Sequence, residues 1–246
     1  YREEEQQEQQ EHKHLDHHHH HHIEEQVCSV EWRFQASSHH GDTEQLLDCV
    51  RNGMTYLTQE QLQDRVILLE SLSDVDGAIV EAGVALGGTA ILATHVARKR
   101  PVHLYDIFGM IPPPEHRKDT DDAKERYSII KAGKSRGFGN TTYYGYMTDV
   151  MSQVLDNYKT CKVSLECVQF HKGLVEETMK DIHFAIAYLH CDTDFYSAVY
   201  HCLVDGAPHV VVNGAIAIDD YFSYLVSCNC ASCCMYMWPS SYYRDR

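Results

Sequence analysis

Five short apolar runs alternate with stretches of helical spacing, and four of them meet a carboxylate at or near their C-terminal end. The runs are GAIVEAG (77–83), VHLYD (102–106), VQFHK (168–172), AIAYLHC (185–191) and HVVVNGAIAID (209–219), the last centred on Ala215 to Ile218. Between and before them lie LTQEQLQDRVILLESLSDV (57–75), GTAILATHVARKR (88–100), MTDVMSQVLDNY (147–158) and DFYSAVYHCLVD (194–205). In the first of these, Leu57, Leu62, Val66 and Leu69 recur at helical spacing, and Thr58 with Gln61 predicts a capping box. This alternation predicts an α/β fold, a doubly wound, mostly parallel sheet covered by helices on both faces. Ligands of such sheets sit beyond the carboxyl ends of the strands. Glu81, Asp106, Asp192 and Asp219 all fall there.

The rest of the chain sets limits. Residues 1–26 are polar and read as a disordered arm or a solvated helix; within them His17–His22 resembles an affinity tag. Residues 27–246 are long enough for a single domain with a full core. Three prolines (Pro112, Pro113, Pro114) forbid regular structure in 107–122, and 134–144 reads as an irregular segment. Acids outnumber Lys and Arg 36 to 21, a net charge of -15, which argues against general binding to nucleic acid or an anionic membrane. No apolar run approaches the ~18 residues of a membrane span, and no signal-peptide pattern opens the sequence. Six scattered cysteines (Cys28, Cys49, Cys161, Cys167, Cys191, Cys202) read as buried thiols of a reducing, cytoplasmic compartment. The tract CNCASCC (228–234) has no justified zinc spacing and also reads as free thiols.

In EAGVALGGTA (81–90), Gly83, Gly87 and Gly88 stand between a strand and a helix, where they allow a tight turn and close approach of a ligand; Thr89 follows them. The spacing is not G-x-G-x-x-G, and no G-K-[ST] is present. Glu81, just before the glycines, would repel a pyrophosphate but tolerate an amino group or a sulfonium. Asp106 ends the next strand, where a carboxylate can accept from both hydroxyls of a ribose. These residues favour a nucleoside cofactor, and S-adenosylmethionine suits the charges better than NAD.

Asp192, Asp194, Asp219 and Asp220 are too many acids for simple caps. Hard oxygen ligands suit Mg²⁺. Asp192, Asp219 and Asp220 are the candidate metal ligands, with Asp192 also the candidate base for a hydroxyl proton. Asp194 is expected to cap the helix beginning at Phe195. His190 neighbours the acids in sequence, yet strand alternation is expected to turn it away from them. His171 is a further tempting addition to the site, and His201 with Cys202 reads as helix packing.

GMTYLTQEQL, IVEAGVALGGTAILA, PVHLYDIFGMIPPP, VQFHKGLVEETM, YLHCDTDFYSAVY and GAIAIDDY resemble, in order and spacing, the macrocin O-methyltransferase (TylF-type) family over roughly 53–221. The resemblance implies a class I methyltransferase, a Rossmann-like three-layer sandwich of seven strands with the last antiparallel. It also implies use of S-adenosylmethionine and Mg²⁺. It places Glu81 and Gly83 near the methionine part, Asp106 near the ribose, Gly173 near the adenine, and Asp192, Asp219 and Asp220 on the metal. Ala85 and Leu86 stand where the family carries an aromatic and a basic residue. The tail after Asp220 has no recognisable counterpart and predicts an incomplete C-terminal sheet edge. The expected activity is Mg-assisted O-methylation of a small hydroxylated molecule such as a sugar. The alternative is a non-catalytic nucleoside-binding protein on the same fold. Neither reading requires nucleic acid or a membrane, and homo-oligomerisation is left open.

Overall fold

A computed structural model describes residues 40–114, 117–219 and the backbone of 234–237. Two helices come first, α1 (His40–Arg51) and α2 (Gln59–Ser71). Alternation then proceeds through β1 (Ala78–Ala82), α3 (Gly88–Ala97), β2 (Val102–Asp106), α4 (Asp121–Lys131), α5 (Val150–Thr160) and β3 (Val168–Lys172). It ends with α6 (Val175–Thr178), β4 (Ile186–Cys191), α7 (Tyr196–His201), β5 (Val210–Ile218) and β6 (Cys234–Met237). The predicted capping box opens α2: Gln61 N–H donates to Thr58 Oγ1 at 3.3 Å, and Thr58 N–H to Gln61 Oε1 at 2.9 Å.

The strands form one sheet in the order β3-β2-β1-β4-β5-β6, and every pairing is parallel. Side chains alternate between its faces. Ile79, Leu104, Tyr188 and Ala217 pack with Leu62, Val66, Leu69, Ile91 and Val154 on one side. Val80, Leu189, Ile216 and Ile218 pack with Val175, Met179, Val199 and Leu203 on the other. Covered on both faces, β1 and β4 are buried at every residue, which is why they read as unbroken apolar runs. Strand order reverses between β1 and β4, so their C-terminal ends flank a crevice.

Three expectations change. The tail supplies β6, which pairs with β5 from Ala215 opposite Cys234 to Ile218 opposite Met237. That extends the edge expected to be incomplete, and among the described residues no antiparallel last strand accompanies it. The scattered cysteines are not all thiols. Cys49 bonds Cys161, tying α1 to the end of α5, and Cys191 bonds Cys202, tying β4 to the end of α7. Their Cα atoms lie 6.0 and 6.3 Å apart, within disulfide reach. Disulfides persist mainly in oxidising compartments, so the cysteine argument for a reducing one loses its premise. The remaining sequence expectations for 1–39 and for Asp220, including the arm, its boundary at 26, His17–His22 and most of the CNCASCC tract, lie outside the described residues. Among those described, no helix is long and apolar enough to cross a membrane.

At the other end of the sheet, His103 on β2 stacks on Phe184 at 4.0 Å and shares a 3.0 Å hydrogen bond with His171. Tyr105 stacks on His171 at 4.2 Å, so His171, a tempting addition to the site by sequence, is a packing residue that does not line the cavity over the glycine turn. Burial, and then the neighbouring His171 and His183, depress His103 to about 4. An unfolded histidine titrates near ~6.5. Between these values the unfolded chain binds a proton that the fold refuses, so stability falls as pH drops from about 6.5 to 4. His103→Phe is expected to remove up to about 3 kcal/mol of that acid sensitivity in urea unfolding at the two pH values. An unchanged pH slope would show that His103 is protonated in the fold.

Candidate functional site

Two glycines shape the turn after β1. Gly83 has φ +89°, and a Cβ there would overlap outright with the Asp192 carbonyl oxygen. A Cβ on Gly88 would lie 2.6 Å from the Met54 carbonyl. Both glycines therefore answer to close approach of backbone from elsewhere in the chain. Asp106 holds the turn: its Oδ2 accepts from Val84 N–H at 2.7 Å and Ala85 N–H at 3.1 Å, and its Oδ1 from Phe108 N–H at 2.6 Å. Burial raises the Asp106 carboxyl above its usual range, with the three N–H groups opposing. Glu81 is buried behind the turn and accepts from Thr89 Oγ1 at 2.6 Å.

A cavity opens over this turn, lined on one side by Gly83, Val84, Ala85, Gly88, Thr89 and Asp106. Asp192, Asp194 and Asp219 line it from the tips of β4 and β5. Met54–Leu57, Gln61 and Tyr144 close it. Glu81, Gly87 and Gly173 do not line it. Gly87 is the N-cap of α3, and Gly173 is a post-strand turn whose N–H donates to the Asp106 carbonyl at 3.0 Å. The enclosed space is about 80 Å³, well below the ~300–1,000 Å³ typical of small-molecule sites. A second, more open cavity of about 660 Å³ adjoins it through Leu57, with Asp48, Arg51, Thr58 and Phe138 in its wall.

The acidic end differs from expectation in three respects. Asp194 does not cap a helix. α7 starts at Tyr196 with Phe195 as an N-cap that lacks a side-chain bond, and Asp119 Oδ1 takes the Tyr196 N–H at 2.8 Å. Asp194 instead sits at φ +63° and faces the cavity. His190 is not turned away from the acids. Residues two apart share a face, and β1 and β4 pair Glu81 with His190. His190 Nε2 lies 3.3 Å from Asp219 Oδ2, and its Nδ1 faces Glu81 Oε2 at 3.5 Å without a well-formed hydrogen bond among the described residues. Burial and the Arg65 charge lower the imidazole pKa; the contacts with the Asp219 and Glu81 carboxylates outweigh them and raise it.

The third respect is Arg65, which no sequence motif marks. It is 2% exposed on α2. Its Nη2 lies 2.6 Å from both carboxylate oxygens of Asp219, and its Nη1 2.7 Å from His190 Nε2. Burial pushes the Asp219 carboxyl up, but the Arg65 charge and His190 hold it well below the usual carboxylate range. Donor atoms of His190, Asp192 and Asp219 lie within 4.8 Å of one another. Two of the three candidate metal ligands thus come together, with a guanidinium already seated on one of them.

The macrocin-O-methyltransferase (TylF) family pattern matches residues 1–235. Among curated proteins, the demethyldecarbamoylnovobiocin O-methyltransferase of Streptomyces niveus is 26% identical over 159 residues, covering 61% of this chain and 54% of that protein. The chain thus spans about half the length of that relative. Among solved structures, the O-methyltransferase NovP superposes with a TM-score of 0.54 at 23% identity, covering 66% of this chain and 65% of that one. At that identity the likeness speaks to the fold alone, a class I α/β sandwich.

Proposed function

Since the chain belongs to the macrocin O-methyltransferase (TylF) family, we propose that it transfers a methyl group from S-adenosylmethionine to a hydroxyl of a small molecule, such as a sugar in a natural product. One observation carries the reading. The glycine turn and four carboxylates, Asp106, Asp192, Asp194 and Asp219, line a single cavity at the crevice where strand order reverses. Such a lining repels phosphates and suits a sulfonium.

When bound, S-adenosylmethionine supplies a methyl carbon already activated by its sulfonium. Gly83, Gly88, Thr89 and Asp106 would hold it, with Glu81 fixing Thr89 from behind. The clamp from Asp106 to the amides of Val84, Ala85 and Phe108 keeps the turn rigid. An alcohol is a poor nucleophile until its proton leaves, and Asp192, which lines the cavity, would accept that proton. A divalent ion on Asp192, Asp219 and Asp220 would, when bound, make the acceptor hydroxyl more acidic. Met54–Leu57 and Tyr144, which wall the cavity, would limit water at the reacting centre.

Incubation with methyl-labelled S-adenosylmethionine, Mg²⁺ and a panel of hydroxylated acceptors tests the reading, alongside calorimetric titration with S-adenosylhomocysteine. Label is expected on at least one acceptor. The hold of Arg65 on Asp219 favours one rival, a non-catalytic nucleoside-binding protein. Cofactor binding without transfer to any acceptor would decide for it, and absence of S-adenosylhomocysteine binding would remove both.

A further inference from the structure

A divalent ion at Asp219 meets a competitor that belongs to the chain itself. Arg65 lies on the apolar stripe of α2, between Leu62 and Leu69, and both flanking leucines are buried. Its Nη2 bridges the two oxygens of Asp219 at 2.6 Å, a charge-assisted contact buried to 3% and 7% side-chain exposure. Nη1 reaches His190 Nε2 at 2.7 Å, so the guanidinium touches two of the three grouped donors. Glu81 Oε2 faces the far ring nitrogen of His190 at 3.5 Å and closes the network from β1. A hard cation sharing those oxygens would sit within a few ångströms of a fixed positive charge in a water-poor setting, where like charges repel strongly.

We propose that Arg65 is the resident cation of the acidic cluster and that divalent-ion binding at Asp219 must displace it. Arg65 thus sets how tightly the cluster takes metal. It is a positioning residue: it does not line the cavity and acts through Asp219. The inference rests on reading Asp219 as a metal ligand and deepens that part of the proposed function. Its test uses no methyl donor or acceptor, so failure of methyl transfer and failure of this inference are separate results.

Mn²⁺ binding to the full chain, followed by electron paramagnetic resonance of the free ion, is compared for wild type, Arg65→Met and Arg65→Lys. Arg65→Met is expected to bind Mn²⁺ at least about tenfold more tightly than wild type, because Asp219 is left uncompensated. Arg65→Lys keeps the charge and is expected to stay within about threefold of wild type. Equal, weaker or absent Mn²⁺ binding by Arg65→Met overturns the proposal, as does equal tightening by Arg65→Lys. If Arg65→Met does not fold, the wild type decides. Excess Mg²⁺ must then shift the ¹⁵N guanidinium signal of Arg65 and release its slowly exchanging protons, and a signal unchanged by Mg²⁺ overturns the proposal.

Discussion

Asp192→Asn is expected to lower kcat for methyl transfer by about a hundredfold or more, the scale of a lost general base. The affinity for S-adenosylhomocysteine should change by less than about threefold, because the substitution leaves the surrounding backbone intact. Asp192 N–H donates to the Ala82 carbonyl at 2.8 Å, and its own carbonyl packs on Gly83; an asparagine keeps both contacts. What it loses is the charge beside Asp219 and the capacity to take a proton. Asp194→Asn is the comparison, since Asp194 faces the same cavity. If Asp192 is the base, Asp194→Asn costs less than about tenfold. The reverse order would move the proton-accepting role two residues along the chain, and an Asp192→Asn enzyme with normal turnover would remove Asp192 from the chemistry.

Much of this arrangement was legible in the sequence, for identifiable reasons. β1 and β4 are buried on both faces, so their residues announce themselves as apolar runs. Thr58 and Gln61 make a local motif whose hydrogen bonds need nothing from the rest of the fold. The acids at strand tips follow from topology, because a parallel sheet collects its C-terminal ends on one side.

What was not legible depended on contacts across the fold. The Arg65–Asp219 pair spans 154 positions, and no local pattern encodes such a distance. One signal was available. On α2 the apolar stripe Leu62, Val66 and Leu69 includes Arg65 at the same spacing, and a charge on a buried stripe demands a partner. Alternation alone turns His190 from the acids; the parity that groups it with the residue two further on brings it onto their face. Capping is the commonest local role for an aspartate before a helix, but here the helix starts one residue later and takes Asp119 as its partner. The Cys49–Cys161 bond joins residues 112 positions apart, and connectivity of that kind does not follow from composition.

Gly83→Ala is expected to be among the most damaging single substitutions in the chain. Two costs coincide at this position. The backbone stands at φ +89°, which an L residue adopts only with strain, and the new methyl would occupy the place of the Asp192 carbonyl oxygen. Neither side can yield cheaply. Gly83 N–H is bonded to the Tyr105 carbonyl at 2.9 Å and Asp192 N–H to the Ala82 carbonyl at 2.8 Å, so relief means prising apart the ends of β1 and β4. Those ends form the floor of the cavity, and cofactor binding should fall with stability. A loss of about 4 kcal/mol or more is expected, on the scale of the largest single-residue effects, with Tm lower by roughly 10 °C. Gly53→Ala separates the two costs. Gly53 has φ +92°, yet a Cβ there meets nothing within 4 Å. It should cost only the backbone strain, about 1–2 kcal/mol. Should urea unfolding place the two variants within about 1 kcal/mol of each other, the close packing of the glycine turn against β4 would not be what requires glycine at position 83.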